Sequence, residues 1–105
     1  MESERCLQII KALSNETRLN IMRWLREPDA HFAPDCMPVN AEFEGGVCVG
    51  KIQEKSGLTQ SVISGYLSAM QKAGLLESRR FGQWTYYRRN AETVEQWLAQ
   101  LKMDI

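Results

Sequence analysis

Between Val49 and Leu76 the chain reads VGKIQEKSGLTQSVISGYLSAMQKAGLL, two helical stretches folded about Gly57. The spacing predicts a short helix over 50–55 and a longer one over 59–72. Gly57 takes the left-handed backbone that ends a helix at little cost. Leu58 stands at the position of a hydrophobic staple, and Thr59 is a good N-cap for the second helix. In that helix Ile63, Leu67 and Met70 form an i, i+4, i+7 stripe that faces a core. The opposite face carries Gln60, Ser61, Ser64 and Ser68, short and uncharged, where a merely solvated helix is richer in Glu and Lys. Side chains of this kind suit close approach to phosphates and base edges in a major groove. The two helices together read as a helix-turn-helix at 50–72, with 59–72 as the recognition helix.

The remaining segments read as support. The chain of 105 residues is long enough for one domain with one modest core. No apolar run approaches the ~20 residues that cross a bilayer. The start, MESERCLQII, is acidic and lacks a secretory pattern, so a cytoplasmic location is expected. Three cysteines cannot all pair and are expected as thiols.

A first amphipathic helix is expected over 3–13, with Leu7 and Ile10 among its apolar positions. Ser14 or Asn15 breaks it and caps a second helix, NETRLNIMRWLRE, whose buried stripe is expected at Leu19, Met22 and Leu25 with Ile21 beside it. Pro28 ends that helix. Periodicity then vanishes over 28–46, which holds all three prolines of the chain. So long a connection is functional or mobile as a rule. Its Phe32, Met37, Val39 and Phe43 predict partial attachment to the body.

After the central helices, LLESRRFGQWTYYRR has the pattern of a β-hairpin over 76–88. Gly82-Gln83 is a two-residue turn with glycine first, as a type II′ turn prefers. On a helix-turn-helix body this hairpin is a wing that lays Arg79, Arg80 or Gln83 on the sugar–phosphate backbone or in a minor groove. Tyr87 is expected to pack inward, and Trp84 reads equally as core anchor or as contact. Asn90 caps a last helix, AETVEQWLAQLKM, with Val94, Trp97, Leu98 and Leu101 on one side. With Leu7 and Ile10 these residues leave apolar faces at both ends of the chain. A second copy buries both, which gives a two-fold homodimer through the first and last helices. Two recognition helices then stand about 34 Å apart and call for a palindromic site.

The formal net charge is zero, but it is unevenly spread. Residues 51–89 carry seven Lys and Arg against two acids, whereas 27–44 carry five acids and no Lys or Arg. A basic face meeting phosphate is compatible with such a sum.

The segments KALSNETRLNIMRWL, GVCVGKI, GLTQSVISGYLSAMQKAGLLESRRFGQWTYY and the closing helix together resemble the ArsR/SmtB family of bacterial winged-helix transcription regulators. The resemblance covers nearly all of the chain outside 28–46. It implies a mainly α homodimer with a β-hairpin wing, recognition of double-stranded DNA by the helix at 59–72, and repression relieved by an effector. Many members sense metals, arsenite or reactive sulfur. The family's Leu-Cys-Val-Cys motif reads Val47-Cys48-Val49-Gly50 here, so the second thiol is missing, and one thiol alone does not grip a soft ion. The last helix has no histidine, which removes the family's other common metal site. Gly65 stands where a Gln or Arg often reaches for a base. Base reading is therefore expected from Gln60, Ser61, Val62, Ser64 and Ser68, with a shape-led component.

Cys36, Cys48 and His31 flank or occupy the acidic loop. They read as a soft-metal or arsenite site (with or without Cys6), as a disulfide- or polysulfide-forming pair, or as ordinary core and surface residues. No metal site and no cofactor is assigned from the sequence, and the effector is unknown. The competing class is a winged-helix module that binds protein instead of DNA. An enzyme is the least expected class: one histidine, no nucleophile elbow and no phosphate loop leave no catalytic constellation.

Overall fold

The computed structural model describes residues 1–34 and 42–105. Cys36 lies outside the described residues, as do Met37 and Val39. The element order is α1 (Ser3–Leu13), α2 (Glu16–Arg26), α3 (Pro28–His31), β1 (Val47–Cys48), α4 (Val49–Ser56), α5 (Gln60–Lys72), β2 (Leu76–Phe81), β3 (Trp84–Arg89) and α6 (Ala91–Asp104).

The turn between α4 and α5 forms as its residues dictate. Gly57 has φ 71°, and its N–H bonds back to the carbonyls of Gln53 and Glu54. Thr59 accepts a bond from the Val62 N–H at 3.3 Å and so caps α5. Leu58 departs from the expected staple, being 37% exposed. Its N–H is held instead by Ser56 Oγ at 3.1 Å. Hydrogen bonds fix the chain direction there, and the leucine is left at the surface. Asn15, rather than Ser14, caps α2, accepting from the Arg18 N–H at 3.0 Å.

The core gathers Ile9 of α1, Ile21 and Leu25 of α2, Val47 of β1, Ile52 of α4 and the α5 stripe. Burying each of these large side chains contributes about 1.5–3 kcal/mol. The expected stripe of α2 is corrected in part: Leu25 is buried as expected, Ile21 joins it on the core face, and Met22 packs only partly against that core. Leu19 and Met22 line a second groove with Trp97 and Leu98 of α6. α2 is apolar on two sides because it lies between the core and α6.

Two further corrections concern 28–46. Pro28 ends α2 but also opens the single turn α3, at the first position where its missing N–H costs nothing. At the far end β1 joins the hairpin, so the sheet has three antiparallel strands in the order β1-β3-β2. Val47 pairs with Tyr87, and Cys48 with Tyr86. Cys48 is therefore on a strand and serves as the N-cap residue of α4, its backbone in an extended conformation.

Candidate nucleic-acid interface

Ile63, Leu67 and Met70 are fully buried and hold α5 against the body. Gln60, Ser61, Val62, Ser64, Gly65 and Ser68 are all exposed on the outer side of the same helix. The result is a ridge without charge or bulk, braced from behind by a rigid core. Among the described residues nothing requires glycine at 65, for a Cβ added there has no heavy atom within 4 Å. Lys72 is exposed too and continues the ridge four residues beyond Ser68. The i, i+4 spacing from Ser68 is the sequence signal that marks it.

The wing follows the expected register. Phe81 pairs with Trp84 across the two-residue turn, and Gly82 has φ 62°, in the region a primed turn demands of its first residue. Trp84 is 52% exposed, which decides against a core anchor. Tyr87 packs inward against the core. Its phenol is raised above the usual 10.0 by burial, which disfavours the phenolate.

Arg79 and Arg80, alike in sequence, differ in setting. Arg80 Nε bonds only to the Gly82 carbonyl, 3.0 Å away within its own turn, among the described residues. Arg79 reaches back 37 residues to the carbonyl of Glu42 at 3.0 Å. Its guanidinium also lies over the Phe43 ring, 5.2 Å from the centroid. Gln83, at the tip, is exposed.

α1 packs against α6 as well as against α5. Leu7, Ile10 and Leu98 are 53%, 40% and 49% exposed, and Leu101 is half-buried. Val94 behaves differently from these, at 7% exposed within the chain's own core. Trp97 packs partly against that core, and its buried indole N–H has no partner among the described residues.

Of the thiol and histidine candidates, Cys36 lies outside the described residues. Cys48 is half-buried and lines a cleft of about 390 Å³ with Lys51, Glu54, Trp84 and Tyr86. His31 is exposed on α3, and Cys6 is buried on the inner side of α1. Among the described residues no three His, Cys, Asp or Glu side chains gather as metal ligands. Among them, too, no helix is long and apolar enough to cross a membrane.

No protein-family model matches the sequence. An uncharacterized HTH-type transcriptional regulator of Bacillus subtilis, YbzH, is 44% identical over 100 residues, 94% of this chain and 97% of that protein. A putative arsenical resistance operon repressor of Halobacterium salinarum, ArsR2, is 33% identical over 85% of this chain and 61% of its own length. Among solved structures, the homodimeric winged helix-turn-helix DNA-binding domain of Mb0332 from Mycobacterium bovis, a possible ArsR-family transcriptional regulator, superposes with a TM-score of 0.66 at 27% identity. That likeness covers 95% of this chain and 77% of the mycobacterial one. These proteins are named as transcriptional regulators and not as enzymes, and the mycobacterial domain shares the winged helix-turn-helix fold. The chain belongs to the ArsR-type family of winged helix-turn-helix transcriptional regulators.

Proposed function

We propose that the protein is a cytoplasmic, dimeric repressor of a palindromic duplex operator, each subunit laying α5 in a major groove and its wing on the adjoining strand. The observation that carries this reading is the α5 ridge. Six exposed residues without charge are held outward by three fully buried ones, and an arginine-tipped hairpin stands alongside. Exposed leucine and isoleucine on two adjoining terminal helices support pairing with a second copy. A globular surface rarely leaves such residues together. The protein-binding alternative has no comparable support, because a ridge of Gln and Ser offers little apolar area to a protein partner.

Selection from a random duplex pool tests the proposal. The expected yield is an inverted repeat with half-sites about 10 base pairs apart, centre to centre. Gln60→Ala and Ser64→Ala then each narrow the preference for that site over a scrambled duplex. A pool that shows no enrichment, with the protein folded, overturns the reading.

No resident cofactor enters this proposal. Relief of repression through a thiol is tested by Cys36→Ser and Cys48→Ser, with arsenite or a mild oxidant as the probe. Release lost in one variant makes that cysteine the effector contact; release unchanged in both removes the thiols from the mechanism.

A further inference from the structure

A helix has 3.6 residues per turn, so Ser61, Gly65, Ser68 and Lys72 lie on one line of α5, opposite the buried stripe. The two flanks of that line differ. On one flank Gln71 accepts a bond from Ser78 Oγ of β2 at 3.1 Å, which places the root of the wing there. On the other, Ala69 and Ala73 border a groove of about 360 Å³ whose far wall is Gln8, Lys11 and Ala12 of α1 and Arg18 of α2. Lys72 lines it as well, so three cations and no acid line the groove.

The groove is also organised before anything binds. Arg18 Nε bonds to the Ala12 carbonyl at 2.6 Å, and the guanidinium lies 5.0 Å from the centre of the Tyr66 ring. Tyr66 is held in turn by Asn15 Nδ2 at 3.4 Å from its hydroxyl. The small side chains Ala69 and Ala73 keep the floor low. Clustered cations without a counter-charge repel one another, and an anion between them removes that cost.

A helix in the major groove is bordered by a phosphate strand on each side, about 12 Å apart. The wing serves one border. We propose that the Lys11–Arg18–Lys72 groove grips DNA phosphate on the other border, so that each subunit clasps the duplex from both flanks of α5. This rests on the DNA-binding reading above and adds to it a second backbone contact drawn from α1 and α2.

The chain has no net charge. Diffuse attraction is therefore weak, and the salt dependence of binding reports local phosphate contacts. The test is binding of the full chain to a 30-base-pair duplex of random sequence, followed by fluorescence anisotropy across a KCl series. The log–log slope is expected to fall by about 1.8 in the K11Q/K72Q double variant and by about 0.9 in R80Q, about 0.9 for each lost phosphate contact. Because the contacts lie on opposite flanks, the triple variant shows the sum. K11R/K72R keeps the wild-type slope. An unchanged slope in K11Q/K72Q beside a lowered one in R80Q overturns the inference, as does a loss that K11R/K72R fails to restore. A wild-type protein that binds duplex without responding to salt overturns the DNA reading itself.

Discussion

The guanidinium of Arg88 lies over the ring of Phe43, 4.3 Å from its centroid, and so joins the long connection to the wing. Phe43 is 2% exposed, packed against Phe81 and covered by Arg79 from the same strand pair. Arg88 is kept in place by Glu77 across the hairpin, with Nη2 and Oε2 2.9 Å apart. The acidic connection is thus anchored through an aromatic residue held between two arginines.

Phe43→Ala is expected to cost about 3 kcal/mol, the lower end for removing a buried phenylalanine, since part of its cover is flexible side chain. Gly46→Ala harms the same contact from the other side, for an added Cβ falls 2.4 Å from Phe43 Cδ2. Urea unfolding of both variants checks this. Midpoints equal to the wild type would show that Phe43 does not pin the loop.

The two wing arginines separate by readout. Arg80→Ala weakens binding evenly across sequences, lowers the salt slope by about 0.9 and leaves stability within about 0.5 kcal/mol. Arg79→Ala also releases the Glu42 carbonyl and part of the Phe43 cover, so its unfolding midpoint falls as well. Anisotropy and urea unfolding on the same samples distinguish the two.

Gly65→Ala is expected to stabilise the protein by about 1 kcal/mol, because the site is an open helical position. For a domain of this size that raises the melting temperature by about 4–8 °C. Gly65→Leu keeps the fold but sets a large side chain in the middle of the ridge. It is expected to lose the operator preference found by selection.

Leu98→Glu places a charge on the outer face of α6, where the leucine is 49% exposed within the single chain. Folding of the subunit is unaffected, while a paired assembly has to bury the carboxylate. Sedimentation equilibrium is expected to give the dimer mass for the wild type and the monomer mass for the variant. Equal masses place the interface elsewhere.

Tyr87 links stability to alkaline pH. Its folded-state pKa is raised, so the unfolded chain loses its phenolic proton first as pH rises past about 10. The stability associated with the neutral phenol is complete below that pH and is lost as pH climbs to the folded-state value. Tyr87→Phe is expected to flatten the alkaline limb of a stability–pH curve measured by urea unfolding. An unaltered limb assigns the alkaline loss to other groups.

The helix-turn-helix was legible because each of its signals is local. Gly57, Thr59 and the Ile63/Leu67/Met70 spacing act within a few residues of themselves, and the hairpin is set by Gly82 and its flanking strand formers. The same local logic misplaced the α2 stripe. Leu19 and Ile21 are equally apolar, and only the position of α6 decides which of them faces the central core.

What the sequence determined by itself, then, is the five longer helices and the hairpin, in their order, since propensity, caps and turn geometry are properties of short stretches. The tertiary structure decided what long-range packing controls: β1 joining the wing, Phe43 lodged between arginines from the hairpin, and Arg79 tied down while Arg80 is not. It also brought Lys11, Arg18 and Lys72 together from three helices. No spacing rule contains that arrangement, because it depends on how α1 and α2 cross α5 after the apolar faces have been buried.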